Sequence, residues 1–122
     1  MRIKKLPPAT TLPRTGIYRL TDRAMLVRIS LQFTAAPLTI DLSELKSKED
    51  LMSALSAVFA LPDYFGRNWD ALEESISELT PAGPIVLNST SAFQELNPES
   101  FRMLLQILSD TLAHRCLILI VP

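Results

Sequence analysis

The stretch Leu117-Ile118-Leu119-Ile120-Val121 is an uninterrupted apolar run near the end of the chain. A short run without alternating polar residues is typical of a parallel strand that is covered on both faces. Parallel strands are joined by crossover connections, so helices should alternate with strands along the chain. The stretch therefore predicts an α/β fold.

Upstream of this strand, the predicted elements alternate as an α/β fold requires. Residues 37–42 and 85–87 form two further short apolar segments that we interpret as strands. Three helices are predicted around them, each with a capping residue and an apolar stripe. They begin near Ser47, Asn68 and Asn97. Residues 36–122 are therefore expected to form an α/β domain whose parallel strands are joined by right-handed crossovers.

Residues 1–35 are predicted to be a basic N-terminal extension of that domain. Large apolar residues alternate with polar ones over residues 17–20 and 25–33, which indicates that the extension adds a β-hairpin or an edge strand. Residues 1–16 contain prolines and have no helix potential, so we interpret them as an extended arm. We expect the domain to fold without this arm, because the core elements lie downstream.

The charge of the chain is distributed unevenly. Residues 1–28 carry seven basic side chains and one acidic one, and the rest of the chain carries five basic and twelve acidic ones. The main body is therefore acidic although the total charge is −1. An acidic body repels phosphate and attracts a basic protein partner. The basic extension leaves nucleic-acid binding open as an alternative.

The sequence favours a cytoplasmic location. The apolar run over residues 116–121 is far shorter than the roughly 18 residues of a membrane-spanning helix. Prolines at Pro7 and Pro8 occupy the region where a signal peptide would be apolar. Cys116 is the single cysteine, and its apolar surroundings predict a buried hydrophobic role. We therefore expect no membrane association.

The helix predicted over residues 68–79 has an acidic outer face opposite its apolar stripe. Five polar residues share an arc of roughly 140° on that face: Asp70, Glu73, Glu74, Ser77 and Glu78. Acids four residues apart repel by a few tenths of a kcal/mol, about 0.2–0.5 per pair, and no basic residue of the helix offsets this. The positive end of the helix dipole favours a negative charge at Asp70, in the first turn, but not at Glu74 or Glu78, which are farther along the helix. The face therefore indicates either a solvated surface or a site for a basic partner.

Residues 61–74 have the sequence LPDYFGRNWDALEE, which resembles the signature of the barstar family of ribonuclease inhibitors. The order of predicted elements over residues 36–122 resembles that family as well, which implies a three-stranded parallel sheet packed with helices. The resemblance implies an inhibitory surface made by the acidic helix and the loop before it, with carboxylates in the places of substrate phosphates. It also implies that Glu74 stands where the family usually has Asp. The predicted partner-binding residues are Tyr64, Gly66, Asn68, Asp70, Glu73, Glu74 and Asp110.

Patterns typical of enzymes are weak in this sequence. The three glycines do not form a phosphate-binding motif, and His114 near Cys116 lacks the other ligands of a zinc site. Asp70 and Glu74 share one helix face, whereas carboxylate pairs in hydrolases face each other across a cleft. We therefore expect no catalytic residue, metal or cofactor. The expected function is inhibition of a barnase-type ribonuclease, and a module for another basic protein is the alternative.

Overall fold

Strands and helices alternate along the part of the chain that the structure, a computed structural model, describes: residues 3–7, 12–62, 66 and 68–122. The elements are β1 (Lys4–Lys5), β2 (Gly16–Arg19), α1 (Met25–Leu31), β3 (Leu38–Asp41), α2 (Lys48–Val58), α3 (Trp69–Ser77), β4 (Ile85–Asn88), α4 (Ser91–Leu96), α5 (Pro98–Thr111) and β5 (Leu117–Ile120). None of these helices is long and apolar enough to cross a bilayer. The predicted α/β class is confirmed.

All the strands belong to one parallel sheet with the order β1-β2-β5-β4-β3. The register places Ile85 of β4 opposite Leu38 of β3 on one side and opposite Ile118 of β5 on the other. The predicted sheet of three strands is therefore too small. Its three strands, β3, β4 and β5, are confirmed, and β1 and β2 extend the sheet beyond β5 to a total of five.

Both faces of the sheet are covered, because successive residues of the central strands point in opposite directions. On β4, Ile85 and Leu87 pack with α2, α3 and α5 in the main core cluster. Val86, between them, packs with α1 in a second cluster that also contains Leu117 and Leu119. Helix α1 therefore lies on the face of the sheet opposite to α3.

The prediction of a strand over residues 25–33 is wrong, since α1 occupies Met25–Leu31. Strand β2 pairs in parallel with β5. A tight hairpin cannot join parallel strands, so the chain needs a crossover to reach β3. The residues that pack inward are Met25, Leu26, Ile29 and Phe33. Their spacing suits one side of a helix as well as it suits a strand.

Residues 1–16 contribute to the core, so the expectation that the core lies wholly downstream of them is also wrong. Leu6 and Leu12 are 3% and 5% exposed in the second cluster. The backbone amide of Leu6 donates to the carbonyl of Arg19 at 2.8 Å, which continues the pairing of β1 with β2. The division into an N-terminal extension over residues 1–35 and a domain over residues 36–122 stays a prediction.

The helices predicted from capping residues are confirmed. Ser47 accepts a hydrogen bond from the amide of Asp50 at the start of α2, and Pro98 is at the first position of α5. The stripe of α5 is buried as expected. Helix α4 was not predicted, because it is only six residues long, has no side-chain cap at its start and buries only Phe93.

Candidate partner-binding site

The start of α3 is fixed by its capping residue. The side chain of Asn68 accepts a hydrogen bond from the amide of Ala71 at 2.8 Å. Its amide nitrogen donates to the carbonyl of Gly66 at 3.3 Å, so the same side chain holds the end of the preceding loop. Leu72 and Ile76 are fully buried and attach the inner side of α3 to the main core. Gly66 and the first turn of α3 are therefore held together.

Trp69 connects the first turn of α3 with the first turn of α2. Its ring is half-buried and packs against the main core cluster, as its place on the predicted apolar stripe suggested. The ammonium of Lys48 lies 5.7 Å from the ring centroid, within the range of a cation–π interaction. The sequence did not identify this contact, because the two residues are far apart along the chain.

The end of α3 is held by Arg115, which follows α5. Its guanidinium donates to the carbonyl of Ser77 at 2.8 Å and to the carbonyl of Thr111 at 3.1 Å. A cation at the carboxyl end of a helix satisfies free carbonyls and offsets the negative end of the dipole. Helix α3 is therefore fixed at both ends, and this residue was missed from the sequence.

The acidic face of α3, defined as Asp70, Glu73, Glu74 and Glu78, is exposed to solvent. No ion pair among the described residues involves these four carboxylates; the one salt bridge found there joins Glu99 to Arg102. The hydroxyl of Ser77, on the same side, donates to the carbonyl of Glu74 at 2.8 Å. These carboxylates are therefore exposed and have no cationic partner among the residues that the structure describes.

A groove of about 510 Å³ separates α3 from the turn that follows α2. Gly66, Glu74 and Glu78 lie along it, whereas Asp70 and Glu73 are not among its lining residues. The turn side is mainly apolar and comprises Phe59, Ala60, Leu61 and Pro62. The groove therefore offers carboxylates on one wall and apolar surface on the other, which suits a long basic side chain with an aliphatic stem.

The remaining predicted site residues are placed differently. Asp110 is exposed on α5 and accepts hydrogen bonds from Gln106 on the same helix at 3.0 and 3.2 Å. None of the contacts found among the described residues joins Asp110 to the acidic face. Tyr64 lies outside the residues that the structure describes. Gly66, Asn68, Asp70, Glu73 and Glu74 are brought together on α3 and the residues just before it.

Two further reactive side chains, Cys116 and His114, differ in their exposure. Cys116 is buried, and burial raises the pKa of its thiol, as suits a hydrophobic role. His114 is exposed. Within the described ranges, no group of three or more His, Cys, Asp and Glu side chains has the arrangement of a metal site.

Comparison with known families identifies the class of this protein. The family described as Barstar (barnase inhibitor) matches residues 35–115, about two thirds of the chain. The chain therefore belongs to the Barstar family, whose members are inhibitors rather than enzymes. The matched range takes in the acidic face of α3 and leaves out β1, β2 and α1 on one side and β5 on the other. No curated protein matches the chain.

Proposed function

We propose that this protein inhibits a ribonuclease by covering the active site with α3 and the loop before it. The observation that carries the proposal is the acidic face of α3, whose four carboxylates are exposed and make no ion pair with the described residues. Repulsion along one helix is tolerated in the free protein at a cost of about 0.2–0.5 kcal/mol per pair. Cations of a basic partner would neutralise this repulsion and attract the carboxylates.

The chemistry follows from what a ribonuclease must bind. Its active site gathers Arg, Lys and His groups that hold phosphate, and carboxylates accept charge-assisted hydrogen bonds from the same groups. Asn68 and Arg115 fix the two ends of α3 before the partner arrives. Little ordering of the helix is then needed on binding, which favours affinity.

Each predicted residue has a role in this proposal. Asp70 and Glu74 lie one turn apart and would accept hydrogen bonds from the cations of the active site. Glu73 would add negative charge beside them. Gly66 and Asn68 would present the loop, with Tyr64 packing against the partner, and Asp110 would make a peripheral contact from α5.

Inhibition of barnase by the purified protein tests the proposal. The full chain should suppress RNA hydrolysis by barnase at stoichiometric amounts. Asp70→Asn and Glu74→Gln should each weaken binding by roughly 2–5 kcal/mol, mainly through faster dissociation, because a buried cation of the partner loses its acceptor. Both amide variants should unfold at the same urea concentration as the parent, or at a slightly higher one.

Glu95→Gln provides a matched control. Glu95 is an exposed acid on α4, outside α3, and its amide should leave inhibition unchanged. Equal losses for Glu95→Gln and Glu74→Gln would show that only the net charge matters. Amides at Asp70 and Glu74 that weaken folding, or that leave binding intact, would make the acidic face structural and remove the proposed mechanism.

Glu74 supports a second candidate, a module for another basic protein. The family signature usually has Asp at this position, and one additional methylene moves the carboxylate outward by about 1.5 Å. Glu74→Asp distinguishes the two candidates. Tighter inhibition of barnase by Glu74→Asp would indicate that Glu74 is adapted to a different cationic surface, whereas weaker inhibition would indicate a partner closely similar to barnase.

Nucleic-acid binding through the basic extension receives less support. The guanidinium of Arg14 donates to the carbonyl of Gln32, and that of Arg23 donates to the side chains of Asn88 and Ser89. These contacts engage two of the cations that would otherwise hold phosphate. We propose a cytoplasmic location, in keeping with a single buried thiol at Cys116.

A further inference from the structure

Helix α1 is apolar on two opposite sides. Ile29 is fully buried, and Met25 and Leu26 pack beside it toward the sheet. Val27 and Leu31 are 66% and 81% exposed. At 100° per residue, these two side chains point away from the sheet on the side opposite to Ile29. A helix with apolar residues on both sides is expected to be covered on both.

The surroundings of this outer ridge, Val27 and Leu31, are basic. Arg28 is exposed beside the ridge, and it makes no ion pair or hydrogen bond with the described residues. Arg14 lies at the end of α1, where its guanidinium donates to the carbonyl of Gln32. At the start of the helix, the carboxylate of Asp22 accepts from the amide of Ala24. An occupant of the ridge therefore meets the positive charges of Arg28 and Arg14 beside an apolar centre.

We propose that the outer ridge of α1 docks a short acidic amphipathic helix of another protein. Two apolar side chains one helical turn apart fit between the side chains of a facing helix. Acidic residues flanking the apolar stripe of that partner would then meet Arg28. This docking surface goes beyond the proposed inhibition, and it involves residues outside the range matched by the Barstar family.

Two other occupants fit the ridge less well. If α1 of a second copy packed on the ridge, Arg28 would lie close to Arg28 of that copy, and the two like charges would repel. If α3 of a second copy packed there, its acidic face would offer no large apolar residue to the ridge. Helices that lie on membranes carry a wide apolar face with Trp or Phe. The ridge of α1 has two aliphatic side chains on a helix of seven residues.

The two faces of the sheet allow both partners at once. Helix α3 packs on the main core cluster and α1 on the second cluster across the sheet. A ribonuclease on the acidic face would leave the ridge accessible. The protein would then connect the bound nuclease to an acidic partner.

A synthetic peptide of about four helical turns, with leucines on one side and glutamates on the other, tests the docking surface. Titration into the ¹⁵N-labelled full chain should shift amide resonances of residues 25–31. A peptide with the same leucines and with lysine at each glutamate should bind at least about tenfold more weakly. Equal binding of the two peptides, or no shifts from the glutamate peptide at about 1 mM, overturns the proposal.

Variants then separate the ridge from other exposed apolar residues. Leu31→Gln and Arg28→Glu should each weaken binding of the glutamate peptide about tenfold. Leu96→Gln is the matched control, since Leu96 is 62% exposed on α4, and it should leave binding unchanged. Equal weakening by Leu96→Gln would indicate unspecific apolar contact and overturn the proposal. Unchanged thermal unfolding of Leu31→Gln verifies that α1 remains folded.

Three further measurements test the choice of occupant. Sedimentation of the full chain should show no self-association that Leu31→Gln removes. Vesicles of phosphatidylglycerol and phosphatidylcholine should not shift residues 25–31; binding to them that Leu31→Gln removes would make the ridge a membrane site instead. Barnase bound to the acidic face should change peptide affinity less than about twofold. Competition between barnase and the peptide would overturn simultaneous docking. If the chain failed to inhibit barnase but still bound the peptide, the proposal for the ridge would stand.

Discussion

The two faces of the sheet differ in charge and in what they present. On one face, α3 exposes four carboxylates and is held at both ends, by Asn68 and Arg115. On the other face, α1 exposes two aliphatic residues in basic surroundings and has no side-chain cap at its start. One sheet thus separates an acidic, closely fixed helix from a basic one that lies outside the range matched by the family. The difference indicates that the N-terminal residues provide more than an appendage to the Barstar-family domain.

Removal of residues 1–16 is the strongest test of whether the two faces form one folding unit. The deletion takes away Leu6 and Leu12, both buried in the second cluster, and the pairing of β1. Burial of two leucines contributes about 3–6 kcal/mol, out of the 5–15 kcal/mol that stabilises a typical domain. We expect the urea concentration at the midpoint of unfolding, measured by circular dichroism, to fall to a small part of its value in the full chain. A deletion variant that unfolds like the full chain would restore the boundary predicted from the sequence at residue 35.

Matched core substitutions compare the faces residue by residue. Ile29→Ala removes a side chain of the second cluster, and Leu72→Ala removes one of the main cluster; both are fully buried. Each should lower the free energy of unfolding by about 2–5 kcal/mol. Denaturant curves should shift in midpoint and keep a single transition. A separate, earlier transition in Ile29→Ala alone would mean that the α1 face unfolds independently.

Capping substitutions test whether fixing α3 matters for binding. Asn68→Ala and Ser47→Ala each remove a cap hydrogen bond and should each cost about 1 kcal/mol of stability. Only Asn68→Ala should also weaken inhibition of barnase, because it loosens the contact with Gly66. Equal inhibition by both variants would show that the order at the start of α3 contributes nothing to binding.

The smallest effect is expected at Asp41 of β3, which interacts with Arg23 from the N-terminal residues. The amide and hydroxyl of Ser43 donate to its carboxylate and, with the positive charge of Arg23, hold the pKa of Asp41 below its usual range. A lowered pKa stabilises the fold above the unfolded pKa of about 3.9, and this contribution is lost as the pH falls through the lower folded pKa. Asp41→Asn should therefore reduce stability at neutral pH and flatten its decline in acid. If the stability of Asp41→Asn fell with pH as it does in the parent, the lowered pKa of Asp41 would not contribute to stability.

Most of the fold from β3 onward was predictable from the sequence, because its signals are local. Caps at Ser47 and Asn68, Pro98 at the first helical turn and the apolar run of β5 each define an element within a few residues. The acidic face was predictable for the same reason, since spacing along one helix fixes which residues share a side.

The part of the fold before β3 was not predictable in this way. The residues of α1 fit a strand and a helix equally well, and only the pairing of β2 with the distant β5 decides between them. Arg115 escaped notice as well, because its acceptor at Ser77 is near only in the folded chain. Local pattern cannot supply contacts between residues that far apart.

The pairing of β2 with β5 also has a consequence for how the chain folds during synthesis. Gly16 leaves the ribosome long before its partner Leu117 is made. Strand β2 therefore stays unpaired on its β5 side until β5 has been made. Long-range pairing of this kind slows folding and exposes intermediates to aggregation. Because β5 lies between β2 and β4, a chain that stopped before β5 would lack the strand that joins the two parts of the sheet.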